Sequence, residues 1–400
     1  MTSVRKQGSV SLLGVRIEQT TTRDVAQTIE EMIDEGGFHQ VATANVNFLI
    51  NAQRDAELKR VLTNCDLVVA DGMPVVWISR ILGQGIVERV TGVDLIPMLA
   101  TRATERGWGI YLLGSNENHL KATADVLTKQ NPGLRIVGSY APPYATLSQM
   151  DHEGILQRIE ATSPDLLLVA FGNPKQELFL AMHRERLKVP VAIGVGGSFE
   201  LIGGFLKRAP NWMQKTGLEW VYRILREPRR LLGRYVRDGF VLTTTLPRQL
   251  IAICLRRRSH AGMAIEVEHY GSSAVVYMTG ELSGSMLPVV IEEVDALLRT
   301  HTPVVMDASR VEFLDGDGVG MLMRLQHLAM KYHTPYWIAG MNRRTEGILE
   351  ASRSQRNLPL ADSVAQALRR IRVGMGMSGE LDSEHKEKFT GEPVGNTVVR

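Results

Sequence analysis

Along the first two hundred residues, short runs that are almost entirely apolar alternate with stretches whose apolar residues recur every three or four positions. The runs fall at residues 11–18, 39–44, 66–70, 109–113, 135–138, 165–170 and 189–193. The stretches between them, at 22–33, 52–64, 95–106, 119–130, 151–161 and 176–187, have helical spacing. Thr22 caps the first helix and Gly36-Gly37 ends it. Strands with no polar face, alternating with helices, predict a parallel sheet covered on both sides. In such sheets ligands bind beyond the carboxyl ends of the strands. The chain places Thr43, Asn45 and Asn47, Asp71-Gly72, Gly114-Ser115-Asn116, Gly172-Asn173-Pro174 and the turn of Gly194, Gly196 and Gly197 at those ends.

Near residue 262 the pattern changes. Strands are predicted at 264–267, 274–279, 303–307 and 335–339, and helices at 285–300, 316–332 and 363–370. This is the outline of a compact α/β domain of about a hundred residues. The predicted organisation is a first domain over 1–252, a linker over 253–262 and a second domain over 263–373. Residues 374–400 lack periodicity and are expected to be disordered. The first domain closes on a basic tail over 219–252.

Charge and composition narrow the class. A chain of 400 residues should hold more than one domain. The net charge of +3 is small, so local clusters matter more than the total. The two cysteines, Cys65 and Cys254, have no CxxC spacing and suit a reducing, cytoplasmic setting. No secretory signal or membrane-spanning run is evident, so any membrane contact is expected to be peripheral, at the inner face of the cell membrane. Basic residues concentrate in 194–237, where Lys207, Arg208, Lys215, Arg223, Arg226, Arg229, Arg230, Arg234 and Arg237 face only Glu200, Glu219 and Glu227. Trp212, Trp220, Tyr222 and Tyr235 interleave with them. A glycine turn running into such a tail suggests a phosphorylated ligand near an anionic surface. The plain alternative is a solvated basic helix face.

Several motifs bear on chemistry: TAN at 43–45, ADGMPVVW at 70–77, ERVTGVDLIP at 88–97, YLLGS at 111–115, FGNPKQE at 171–177, and GVGGSFELIGG followed by RAPNWMQKTGLEWVYRILREPRRLLGRY. On these, residues 10–240 resemble the WecG/TagA/CpsF family of bacterial glycosyltransferases. The resemblance implies a Rossmann-like sheet with a C-terminal helical lid. It implies inverting, metal-independent transfer of a sugar from a UDP-sugar donor to a lipid-diphosphate-linked acceptor, with no cofactor.

Inverting transfer needs a base opposite the leaving diphosphate. Asp71 matches the family's proposed base; desolvation at a strand mouth would raise its pKa and strengthen it. An Asp-Gly pair is otherwise a common turn former. The resemblance places Thr43 and Asn45 at substrate, although either also suits a helix cap. Arg89 is a candidate for a phosphate or acceptor contact; a surface ion pair is its alternative. Gly114, Gly196 and Gly197 offer backbone donors. Lys175 and Gln176 lie in the NPKQE motif, and the Gln176 amide is a candidate reader of sugar or uracil. Arg223, Arg230 and Arg234 are candidates to close over the diphosphate with forked hydrogen bonds. No metal site is expected: the only DxD triplet, Asp315-Gly316-Asp317, lies in the second domain. Where relatives carry Asp in the GxGGxFD stretch, this chain has Glu200.

The second domain resembles the STAS domain, on Thr279–Leu282, on 304–309 and on 311–320. The serine that such domains usually phosphorylate is replaced by Gly316, followed by Asp317, so kinase switching there should be lost. The expected role is an interaction module with a protein partner. A second overall reading is a scaffold that binds a nucleotide sugar without turnover. A third, nucleic-acid binding by the arginine tail, lacks any recognisable module and is set aside. The sugar, the acceptor and the oligomeric state are not legible in the residues.

Overall fold

The computed structural model describes residues 8–82, 85–254, 263–282, 287–352 and 354–374. Most of the expected linker (255–262) and the tail 375–400 lie outside the described residues, as do the side chains of Arg230 and Arg234. The chain divides into two compact units, Val15–Leu246 and a second made of Met1–Gly14 with Pro247–Arg400.

The strands are β1 (Ser9–Leu12), β2 (Val15–Glu18), β3 (His39–Ala44), β4 (Leu67–Ala70), β5 (Gly109–Gly114), β6 (Arg135–Tyr140), β7 (Leu166–Ala170) and β8 (Val191–Gly194), then β9 (Ala264–Tyr270), β10 (Ser273–Leu282), β11 (Val304–Leu314), β12 (Tyr336–Ala339) and β13 (Leu360–Ala361). In the first unit six strands form one sheet in the order β4-β3-β8-β7-β5-β6. Every pairing in it is parallel. Alternate side chains of the strands enter two separate cores. Val41, Leu112, Leu168 and Ile193 pack with Val25, Ile29, Leu95, Leu99 and Leu127 from helices on one face. Leu113, Leu167, Val169 and Ala192 pack with Ile155, Ile159, Phe179 and Leu180 on the other. This is the Rossmann-like arrangement that apolar strands alternating with helices predict.

Local chemistry explains the departures from that prediction. The run 11–18 is two strands, because Leu13 (φ 51°) and Gly14 (φ 73°) turn the chain between them. The helix expected over 52–64 is two, Val46–Arg54 and Ala56–Asn64, because the Asp55 carboxylate caps the second by accepting from the Glu57 and Leu58 amides. Helices Met73–Ile81 and Arg343–Ala351 were not expected. The unit closes on helices Asn211–Thr216 and Glu219–Arg226 and on helix Pro228–Cys254 as far as Leu246.

The second unit holds a mixed sheet in the order β13-β12-β11-β10-β9, antiparallel only between β9 and β10. Helices Leu287–Arg299 and Gly316–Lys331 cover one face through Val290, Val294, Val319 and Leu322, and Val364–Gly374 covers the other through Ala367, Leu368 and Ile371. The N-terminal boundary differs from the expected domain division, since β1 belongs with this unit. Its Ser9 carbonyl oxygen would lie 2.2 Å from a Cβ at position 320, so Gly320 is what lets the strand lie against the helix. Ser11 Oγ bonds Ser354 Oγ at 3.1 Å, and Asn357 donates to the Gly14 carbonyl at 3.2 Å.

Candidate active site

Strands β3 and β4 pair with Thr43 opposite Val69 and Ala44 opposite Ala70, so the residues that follow, Asn45 and Asp71, emerge side by side. The Asp71 amide donates to the Ala44 carbonyl at 2.9 Å, and the Val90 amide to the Ala70 carbonyl at 2.7 Å. Gly72 turns away at φ 101°, where a side chain would be strained, and opens helix Met73–Ile81. Asn45 is fixed by capping: its Oδ1 accepts from the Asn47 and Phe48 amides at 3.0 and 3.3 Å. Its side chain also hydrogen-bonds the Asp71 carboxylate.

Asp71 stands in the wall of a cavity of about 330 Å³. One side of the cavity is charged: Arg89, Arg208, Glu219 and Arg223. Another carries Asn47 and Asp238, and much of the rest is Met73, Pro74, Trp77, Val93, Trp220, Tyr235 and Leu242. Burial pushes the Asp71 carboxyl up to about 6; the Arg223 guanidinium opposes that rise, Glu219 adds to it, and Arg89 and the Asn45 hydrogen bond oppose it. Burial dominates because the apolar wall supplies little solvation for a carboxylate. A base titrating near 6 is largely ionised at neutral pH and still holds a proton better than an ordinary aspartate.

The C-terminal helices form part of the cavity wall. Arg89 Nη1 lies 2.6 Å from Glu219 Oε2. Arg208 grips both oxygens of Asp94, at 2.6 and 2.8 Å. Asn47 donates to both oxygens of the buried Asp238, at 3.2 and 3.0 Å. Gly217, at φ 80°, sits where a Cβ would lie 2.7 Å from Met73 Cγ and Trp77 Cζ2, so the tail descends onto the cavity floor only through glycine.

Of the residues expected at the site, the structure gathers Asn45, Asp71, Arg89 and Arg223 around this cavity. Thr43, Gly114, Lys175, Gln176, Gly196 and Gly197 are not among its lining residues. The buried Thr43 hydroxyl donates to the Gly194 carbonyl at 2.9 Å, fastening β3 to β8. Gln176 is also buried. Its Oε1 accepts from the Gly172 and Gly196 amides at 3.0 and 3.2 Å, and its Nε2 donates to Glu177 at 2.7 Å. Both ends of the amide, and the Gly196 N–H expected to meet phosphate, are therefore engaged with the protein. Lys175 donates to the Ala145 carbonyl at 2.6 Å. Gly114 holds φ 100°, with the Ala170 carbonyl 2.8 Å from where a Cβ would stand. Gly197 precedes the short helix Ser198–Ile202. In that helix Glu200 lies 3.8 Å from His119, whose ring bonds Ser115 Oγ at 2.9 Å. Glu219, Asp238 and Trp77 line the cavity although none was expected as a site residue, and Asn47, noted only for its strand-end position, lines it too. The signal for Glu219 was its being one of few acids within a basic run.

A Rossmann-like sheet, with a carboxylate at the β4 mouth under a tail rich in arginine and tryptophan, is a frame for group transfer on an anionic substrate. Among the described residues no group of three or more His, Cys, Asp or Glu is placed to hold a metal ion. The chain belongs to the glycosyl transferase WecG/TagA/CpsF family, whose model matches residues 10–254. A second model, the Mlab STAS domain, matches residues 265–360. An N-acetylglucosaminyldiphosphoundecaprenol N-acetyl-beta-D-mannosaminyltransferase of Bacillus spizizenii is 29% identical over 214 residues, 54% of this chain and 81% of that protein. The enzyme of the same name from Bacillus subtilis is 31% identical over 190 residues, 48% of this chain and 72% of that protein. Among solved structures, an anti-sigma factor antagonist from Mycobacterium paratuberculosis aligns at 22% identity and a TM-score of 0.27, covering 29% of this chain and 99% of its own. The unphosphorylated anti-sigma factor antagonist SpoIIAA aligns at 15% identity and a TM-score of 0.24, covering 27% and 97%.

Proposed function

We propose that the Val15–Leu246 unit transfers a sugar from a UDP-sugar to a hydroxyl of a polyprenyl-diphosphate-linked sugar, inverting the anomeric centre. The observation that carries this reading is the Asp71 carboxylate, pushed up to about 6 in a cavity whose lining combines arginines with many apolar residues. Asp71 takes the proton of the attacking hydroxyl as its oxygen bonds to the anomeric carbon. The bond from that carbon to the UDP oxygen breaks, and UDP leaves with the electron pair. Asn45 holds the carboxylate in place. Arg89 and Arg223 meet the charge of the diphosphate, with Arg230 and Arg234 from the same tail. In this reading the transfer resists EDTA, because arginine does the work that a metal does elsewhere. Thr43, Gln176, Gly114, Gly196 and Gly197 shape the strand-end turns, and Lys175 secures the loop beside them.

The lipid end of the acceptor has a matching surface. Among the described residues no helix is long and apolar enough to cross a membrane. The tail nevertheless exposes Trp212, Leu225, Leu232, Val236 and Phe240. Arg226, Arg229 and Arg237 are exposed beside them. In this reading apolar side chains interleaved with arginine seat the protein in the headgroup layer of an anionic membrane, at its inner face. The second unit serves in this reading as a docking module for a protein partner. With Gly316 and Asp317 starting its helix Gly316–Lys331, that turn offers no hydroxyl to a kinase.

The test is UDP release from a panel of UDP-sugars, with a short-chain polyprenyl-diphosphate-sugar as acceptor and EDTA present. Acceptor-dependent release is expected, falling about tenfold per pH unit below about pH 6 and reduced about 10²- to 10⁴-fold by Asp71→Asn. Full turnover in that variant would remove Asp71 from its role. Release from no donor, despite UDP binding, would sink the transferase reading.

A further inference from the structure

The charged side of the cavity is a closed ring. Arg89 Nη1 bonds Glu219 Oε2 at 2.6 Å, Glu219 Oε1 faces Arg208 Nε at 3.4 Å, Arg208 grips Asp94, and Asp94 Oδ2 lies 4.0 Å from Arg89 Nη2. Signs alternate around it. Its members come from separate stretches: the loop before helix Gly92–Arg106, the start of that helix, the loop after Ser198–Ile202, and the first residue of helix Glu219–Arg226. Glu219 is the member that belongs to the closing helices, and its side chain is 12% exposed. Each of its oxygens serves a different arginine. Its place at a helix start accounts for an acid there, but not for the double engagement. Arg223 lies one turn further along the same helix and lines the same cavity.

We propose that Glu219 is a positioning residue of the transfer reaction: by bridging Arg89 and Arg208 it fastens the C-terminal helices over the cavity and sets Arg89 and Arg223 beside Asp71. The inference rests on the transferase reading and deepens it. With the ring intact, its four charges cancel and Arg89 is held in one orientation. An incoming diphosphate competes with the Glu219 carboxylate for Arg89, so ligand entry and lid fastening draw on the same guanidinium. Asp238, held by Asn47, is the third carboxylate in the wall besides Asp71 and Glu219 and is not a member of the ring.

Two readouts on the full chain test this with Glu219→Gln, which keeps the shape and removes the charge. The first needs no ligand: amide hydrogen exchange across 219–246 should quicken at least about tenfold, while 39–44 and 166–170 keep their protection and so report an intact sheet. The second is the pH profile of kcat/KM. Opening the lid rehydrates Asp71 and removes the Glu219 charge, which lower its pKa, while it carries Arg223 away, which raises it; burial is the largest cause, so the acid limb should move below about 6. Unchanged exchange would overturn the fastening. Quickened exchange with an unmoved acid limb would reduce Glu219 to a structural clasp and overturn its positioning role. A wild-type protein without turnover would refute the transferase reading on its own, with the exchange result still deciding whether Glu219 holds the lid.

Discussion

Replacing the proposed base should stabilise the protein, and the size of the effect follows from its surroundings. An ordinary aspartate titrates near 3.8; Asp71 is pushed up to about 6, chiefly by burial. At about 1.4 kcal/mol per pH unit, the charged carboxylate costs the folded state about 3 kcal/mol. The sign follows from proton counts. Between about pH 4 and 6 the unfolded chain has released the proton that the folded chain still holds, so wild-type stability falls as pH rises through that window. Asp71→Asn carries no such loss. The variant should match the wild type near pH 4 and exceed it fully by pH 7. A gain of about 3 kcal/mol corresponds to a rise of roughly 6–12 °C in melting temperature for a unit of this size. Scanning calorimetry of both proteins at pH 4.5, 6 and 8 reads this directly. A gap of the same size at all three values, or a variant that melts lower at pH 8, would refute the reasoning. The first result would mean that Arg223, Arg89 and Asn45 offset the penalty of the cavity wall, the second that they outweigh it.

Two further substitutions probe close backbone approaches. Gly217→Ala forces a Cβ to within 2.7 Å of Met73 Cγ and Trp77 Cζ2 at φ 80°; it should cost about 1–3 kcal/mol in urea unfolding and reduce turnover, because both neighbours line the cavity. An unchanged midpoint would show that the tail does not need to lie on Met73. Gly320→Ala sets a Cβ 2.2 Å from the Ser9 carbonyl oxygen; it should dislodge β1 and quicken proteolysis within residues 1–14, at a similar cost in stability. Unaltered cleavage there would mean that β1 is held by other contacts, such as Ser11 with Ser354.

The frame was legible because its strands, apart from the edge strand β6, are buried on both faces. Leu112 and Leu113 enter opposite cores, and only a sheet covered on both sides needs both to be apolar. Helix Met73–Ile81 was not legible for a related reason. Its sequence MPVVWISRI is apolar nearly all round, and a helix without a polar face has no period to detect. The β1 boundary escaped because nothing in SVSL distinguishes a strand of one unit from a strand of the other; the deciding residue, Gly320, lies far along the chain.

Strand-end position alone was enough to point to Asp71 and Asn45. The ring and the second clasp were not readable, because they join residues 130 and 191 positions apart. The polar residues of the β3 and β7 ends show a different limit. Thr43 and Gln176 sit in motifs at strand mouths, where a free hydroxyl or amide meets substrate, yet both are buried and spend their hydrogen bonds on Gly172, Gly194 and Gly196. A glycine turn that leaves backbone N–H groups at a mouth must satisfy them somehow. A buried side chain from a neighbouring segment does so as well as a phosphate would. Composition shows that partners are required at such a turn; whether the protein or a ligand supplies them is decided by packing, and here the Gly196 amide already has its partner in Gln176.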